Sequence, residues 1–146
     1  MIQEIEASLV RTLPRDREAE LVYVALGDST VAGVGASRPE LNYVGRLHAR
    51  LRDLYPRARL ANLGIPGATA ADVVREELPR ALALGPRLVT LSVGPNDITQ
   101  ERDVGQYEGD LDTIFGALAR ETPAVAVVNL LPDLALAPRF SPEEKA

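Results

Sequence analysis

Leu21–Thr30 reads LVYVALGDST: an apolar run of strand length, broken at Gly27 and followed by Asp and Ser, two residues that commonly open a helix. The run is almost continuously hydrophobic rather than alternating, the pattern of a strand covered on both faces in a parallel sheet. Similar runs recur at Arg59–Leu63 (RLANL), Leu88–Val93 (LVTLSV) and Ala124–Leu130 (AVAVVNL). Between them the apolar period lengthens to three and four residues. Leu41, Val44, Leu47, Leu51 and Leu54 make one helical stripe, Val73, Val74, Leu78 and Leu82 a second, and Leu111, Ile114, Phe115 and Leu118 a third. Ile2, Ile5, Leu9 and Val10 predict a leading helix. Strand–helix–strand alternation with right-handed crossovers gives the expected fold: α/β, a three-layer α/β/α sandwich around a parallel, flavodoxin-like doubly wound sheet.

Length and composition narrow the classes. The 146 residues suit a single domain, expected to span 1–146, and 46% of them are hydrophobic, enough for one core. The formal charge of −5 gives no basic footprint, so nucleic acid is not an expected partner. Absent cysteines exclude disulfides and thiolate metal sites. No apolar run reaches the roughly 20 residues of a membrane span. The first twenty residues carry five acids and lack the apolar core of a signal peptide, so a cytoplasmic location is expected.

In an open parallel sheet, ligands bind beyond the carboxyl ends of the strands. The residues placed there are Gly27-Asp28-Ser29-Thr30, then Asn62-Leu63-Gly64, then Gly94-Pro95-Asn96-Asp97, then Leu131-Pro132-Asp133. Each has a plain explanation by itself: Asp28 and Ser29 as a helix cap, Gly64 as a turn glycine, Asn96-Asp97 as an Asx turn. Together they deliver a hydroxyl, a flexible backbone amide and a side-chain amide to one sheet edge. Acyl transfer requires that set, a nucleophile and donors aimed at a developing oxyanion.

These blocks resemble, in order and spacing, those of the SGNH (GDSL-type) hydrolases, from about Leu21 to Asp133. The resemblance implies the SGNH hydrolase fold and a serine esterase or lipase acting through an acyl-enzyme. It implies Ser29 as nucleophile, and an oxyanion hole formed by the backbone N–H of Ser29, the backbone N–H of Gly64 and the side-chain amide of Asn96. Asn62, Asp28 and Asp97 would support the loops, with Asp133 a turn residue. No cofactor and no metal are implied. The partner expected is a small acyl ester, favoured by the scarcity of aromatics in the site loops. Gly33-x-Gly35 faintly echoes a nucleotide fingerprint but lacks its third glycine.

The sequence departs from the family pattern in two places. It reads GDST where GDSL is usual, which touches only Thr30. More seriously, no Asp is followed three residues later by His, so the family's Asp-x-x-His block is absent. The lone histidine, His48, lies on the predicted helix Leu41–Tyr55, beside its apolar stripe and away from the catalytic edge. The catalytic His and Asp are therefore expected outside this chain. Ser141-Pro142-Glu143-Glu144 reads as a helix start cut short at Ala146, and a final helix, strand and Asp-x-x-His loop are expected beyond it. The loops Val31–Glu40 and Thr99–Gln106 are expected to govern substrate selection and lid motion. Two rival readings stand beside the esterase. One is a non-catalytic flavodoxin-like binding module. The other is an inactive fragment completed by a complementary segment or by a homo-oligomeric partner.

Overall fold

The structure is a computed structural model, in which residues 11–33 and 42–129 are described. The expectations for Ile2–Val10, for most of the Val31–Glu40 loop, for Leu131-Pro132-Asp133 and for the helix start at Ser141 fall outside those residues.

Four strands form one all-parallel sheet: β1 (Leu21–Gly27), β2 (Ala58–Asn62), β3 (Leu88–Ser92) and β4 (Val125–Val128), in the order β2-β1-β3-β4. β1 therefore lies at the centre, and the sheet order reverses on its two sides. That makes the carboxyl ends of β1 and β3 flank the crevice where such folds place ligands. Helices cover both faces. On one side α1 (Ser29–Ala32) and α2 (Tyr43–Leu54) pack on Leu21, Tyr23 and Ala25; on the other lie α3 (Ala70–Asp72), α4 (Leu78–Ala83) and α6 (Val104–Glu121), over Val24, Leu26, Val89 and Leu91. Alternate residues of β1 thus feed two separate cores, which accounts for its near-continuous hydrophobicity.

β4 breaks that rule. Among the described residues β4 is the last strand on its side of the sheet, and Ala126, Val127 and Val128 are exposed there.

The stripe Val73–Leu82 folds with an irregularity. α3 starts at the capping box of Thr69 and Asp72, runs into a π-helical turn at Val73–Glu77, and continues as α4. The cause is Pro79. It has no N–H, and its ring would collide with a carbonyl four residues back, so the helix widens just before it. The Leu78 N–H donates to the Val73 carbonyl, five residues back.

The segment read as a lid, Thr99–Gln106, is instead a tight connection. α5 (Pro95–Thr99) precedes it and α6 begins at Val104, with Asp103 accepting the Gln106 N–H at 3.1 Å. The buried Asp97 anchors it through Arg102, 2.7 Å away. Among the described residues, no helix is long and apolar enough to cross a membrane.

Candidate active site

The turn after β1 is unusual from its first residue. Gly27 has φ 148°, a conformation L side chains rarely adopt, and a Cβ there would lie 2.1 Å from the Ser92 carbonyl oxygen. Only glycine lets β1 and β3 approach so closely at this point. The Asp28 N–H then donates to the same Ser92 carbonyl at 3.3 Å. Asp28, 2% exposed, caps α1 by accepting the Thr30 N–H at 3.0 Å. Its carboxylate is therefore committed to the turn rather than to the hydroxyl beside it.

Ser29 follows as the first residue of α1 and is half-buried. Its N–H is among those at a helix start that have no intrahelical partner. α1 is a single turn; Gly33 closes it, donating to the Ser29 carbonyl at 3.0 Å, and this accounts for the glycine of the nucleotide-like echo.

The loop after β2 is pinned beside α1. Leu63 N–H donates to Ala25 at 2.9 Å and Ile65 N–H to Gly27 at 3.1 Å, so the loop extends the pairing with β1. Asn62 reaches over with its amide, donating to the Val31 carbonyl at 2.7 Å, while Asn42 donates to that carbonyl at 2.8 Å. Gly64 packs so tightly on α1 that a Cβ would lie 2.7 Å from the Ala32 nitrogen. Its N–H points to the Asn62 Oδ1, 3.0 Å away.

The plain reading of the third block as an Asx turn does not hold; Asn96 and Asp97 lie in the short helix α5, with Pro95 in its first turn. Asn96 donates to the Ala68 carbonyl at 3.1 Å. An amide carries two N–H groups, so one remains to serve another acceptor. Asp97, 4% exposed, accepts the Ala70 N–H at 3.2 and 3.1 Å on its two oxygens and pairs with Arg102. It ties the third block to the start of α3.

Ser29, Gly64 and Asn96 thus sit just past the ends of three adjacent strands, with Ser29 on the middle one. A cleft of about 410 Å³ runs from Ala32 and Asn62 along α2, and another of about 260 Å³ opens at Gly94, Asp97 and Tyr107.

His48 is elsewhere. Its Nε2 lies 3.2 Å from the Ala58 carbonyl, and Ala58 pairs with Leu21 at the start of β1. A strand rises about 3.3 Å per residue, so the two ends of β1 lie about 20 Å apart. His48 cannot take a proton from Ser29. Among the described residues, no cluster of three His, Cys, Asp or Glu side chains could hold a metal ion.

Sequence reasoning missed Glu77. It is 1% exposed, and its Oε1 accepts the Gly27 N–H at 2.8 Å. Burial pushes its carboxyl up to about 7; negative Asp28, Asp72 and Glu76 push the same way, and the Gly27 N–H opposes them. A signal was present: Val73, Glu77 and Ala81 recur every four residues, on the stripe that faces the core.

Comparison with known proteins agrees with this architecture. The sequence model described as "GDSL-like Lipase/Acylhydrolase family" matches residues 25–146. Among solved structures, TesA superposes with a TM-score of 0.69 at 26% identity, covering 85% of this chain and 68% of that one. A mutant of the esterase AlinE4 gives 0.64 at 26% identity, over 75% of this chain and 58% of that one. A catalytic mutant of Axe2, an acetylxylan esterase from Geobacillus stearothermophilus, gives 0.62 at 20% identity over 76% of this chain and 60% of its own, a likeness of fold alone. The chain therefore spans about three-fifths to two-thirds of the length of these relatives. No curated protein sequence matches it closely enough to count as a relative.

Proposed function

The chain belongs to the GDSL-like lipase/acylhydrolase family, and from that premise we propose that it carries the nucleophile and oxyanion hole of a serine esterase. The observation that supports this best is the convergence of Ser29, Gly64 and Asn96 at neighbouring strand ends, on a turn held by Gly27 and Asp28.

Ser29 Oγ attacks the ester carbonyl carbon, and its proton passes to a base. The carbonyl oxygen becomes an oxyanion, which accepts from the Ser29 N–H, the Gly64 N–H and the second N–H of the Asn96 amide. Gly64 already donates to Asn62 Oδ1, so the oxyanion competes with that side chain for its amide. Collapse of the tetrahedral species breaks the carbon–oxygen bond to the alcohol, which leaves with the proton, and Ser29 holds the acyl group. Water then attacks and gives its proton to the base; the bond from the acyl carbon to Ser29 Oγ breaks, the base returns that proton to Oγ, and the acid is released.

The base is a histidine outside these 146 residues, since His48 lies at the wrong end of the sheet. A serine without such a partner is a poor nucleophile. The substrate proposed is a carboxylic ester with a small acyl group.

That same missing base favours a second reading, a fragment inactive until a complementary segment or a second protomer completes it. Hydrolysis of p-nitrophenyl acetate by the full-length protein and its Ser29→Ala variant tests the esterase. The alanine variant is expected to lose at least about 10³-fold in kcat. Equal rates would end the proposal.

A further inference from the structure

The acyl-transfer scheme leaves one buried carboxyl unused. Glu77 reaches from the π-helical turn behind the sheet edge to the last residue of β1, two positions before the proposed nucleophile. Gly27 has no side chain to pack, and its φ of 148° is one that ordinary residues avoid. Hydrogen bonds hold the turn: the Gly27 N–H to Glu77 at 2.8 Å, the Asp28 N–H to Ser92 at 3.3 Å, the Thr30 N–H to Asp28 at 3.0 Å, the Ile65 N–H to the Gly27 carbonyl at 3.1 Å and the Ala32 N–H to the Asp28 carbonyl at 2.9 Å. The Glu77 contact is the shortest of these and the only one in which a side chain from the opposite helical layer touches the turn.

Burying a carboxyl costs free energy unless something uses it. Glu77 is almost wholly buried, its Oε2 lacks any hydrogen-bond partner among the described residues, and no cation pairs with it there. An apolar residue would fit the stripe of Val73, Leu78 and Ala81 without that cost. What an apolar residue could not supply is an acceptor for the Gly27 N–H.

We propose that Glu77 is a positioning residue for the reaction, holding the Gly27-Asp28-Ser29 turn so that the Ser29 hydroxyl and N–H stay in line with Gly64 and Asn96. This rests on the reading of Ser29 as nucleophile. The π-helical turn belongs to the same device: it ends on Glu77 itself, two residues before Pro79. Such insertions gather at functional sites. The charged groups acting on Glu77 through space are Asp28 on the turn, and Asp72 and Glu76 on its own helix. All are negative and add to burial, the larger cause, in raising its carboxyl to about 7. The ionised form, as a charge-assisted acceptor, grips the Gly27 amide harder than the protonated one.

The test uses the full-length protein as wild type, Glu77→Leu, Glu77→Gln and Ser29→Ala, with p-nitrophenyl acetate. Leucine is expected to lower kcat by at least about tenfold while KM stays within about twofold, and glutamine, which keeps an acceptor, to restore kcat to within about threefold. A purely structural role would lower the melting temperature and leave the kcat of the folded enzyme alone. A folded Glu77→Leu enzyme with wild-type kcat overturns the proposal, and so does failure of glutamine to rescue.

Backbone NMR supplies a second arm that needs neither turnover nor a folded leucine variant. The Gly27 amide shift is expected to titrate in the wild type with a midpoint close to 7 and to stay flat in Glu77→Gln. A Gly27 amide indifferent to pH in the wild type overturns it. Activity retained by Ser29→Ala would sink the nucleophile reading together with this one. An inactive Ser29→Ala beside an unimpaired Glu77→Leu would sink this one alone.

Discussion

The two ends of the central sheet are built differently. At the amino end no carboxyl is buried among the described residues: His48 is half-buried against the Ala58 carbonyl, the Arg57 and Arg59 pairs with Glu20 are open to water, and the buried polar group is the neutral Thr122. At the carboxyl end, Asp28, Thr69, Glu77 and Asp97 are all buried, and each hydrogen-bonds backbone N–H groups. Burying charge is costly and is tolerated where the charge is paired. Solvent-exposed pairs such as those at the amino end contribute about 1 kcal/mol or less. A fold optimised for stability alone would have no reason to concentrate buried carboxyls at one end. The asymmetry marks the end where geometry, rather than stability, has been held fixed.

This contrast can be broken by substitutions at each end. After Ser29→Ala, the largest effect is expected from Asn96→Ala, which removes the proposed oxyanion donor and should lower kcat of the full-length protein by about 10²–10³-fold with the fold intact. Steady-state kinetics with a circular-dichroism control measure it. An unfolded variant would make Asn96 structural.

Arg102→Ala comes next. It strips the partner from buried Asp97 and should lower stability by about 1–3 kcal/mol in denaturant melts. The carboxyl of Asp97 would then rely on the Ala70 N–H alone. A loss below about 0.5 kcal/mol would show that the third block does not depend on this pair.

The smallest effect is expected at the other end. His48→Ala should leave kcat within about twofold of wild type and cost about 1 kcal/mol or less. Abolished turnover would place the base at the amino end and undo the contrast altogether.

Much of this architecture was legible in the sequence. LVYVAL and LVTLSV announce strands because both faces of β1 and β3 are buried, and GDS, Asn62-x-Gly64 and Gly94-x-Asn96-Asp97 mark the three strand ends that meet. β4 was read as a strand as well, but its valines, equally apolar, are exposed because it is the outermost strand among the described residues. Helix α5 was hidden because Pro95-Asn96-Asp97 also spells a turn, and a proline in a helix's first turn looks the same from sequence. The loop read at Thr99–Gln106 proved shorter, because Thr99 closes α5 and Val104 opens α6, and its anchor, Arg102 on Asp97, is a contact that composition does not reveal. Glu77 was masked by Glu76 beside it; a pair of acids on a helix reads as a solvated face, and only the four-residue step from Val73 to Ala81 turns the second one inward.

The claim beneath all of this is that Ser29 is the activated hydroxyl of the carboxyl-end site. Treating the full-length protein with a fluorophosphonate probe and mapping the adduct by peptide mass spectrometry tests it directly. The label is expected on Ser29, in the peptide that contains GDST, and to vanish in Ser29→Ala. A label carried by another serine, or a native enzyme that hydrolyses esters while Ser29 stays unmodified, would contradict it.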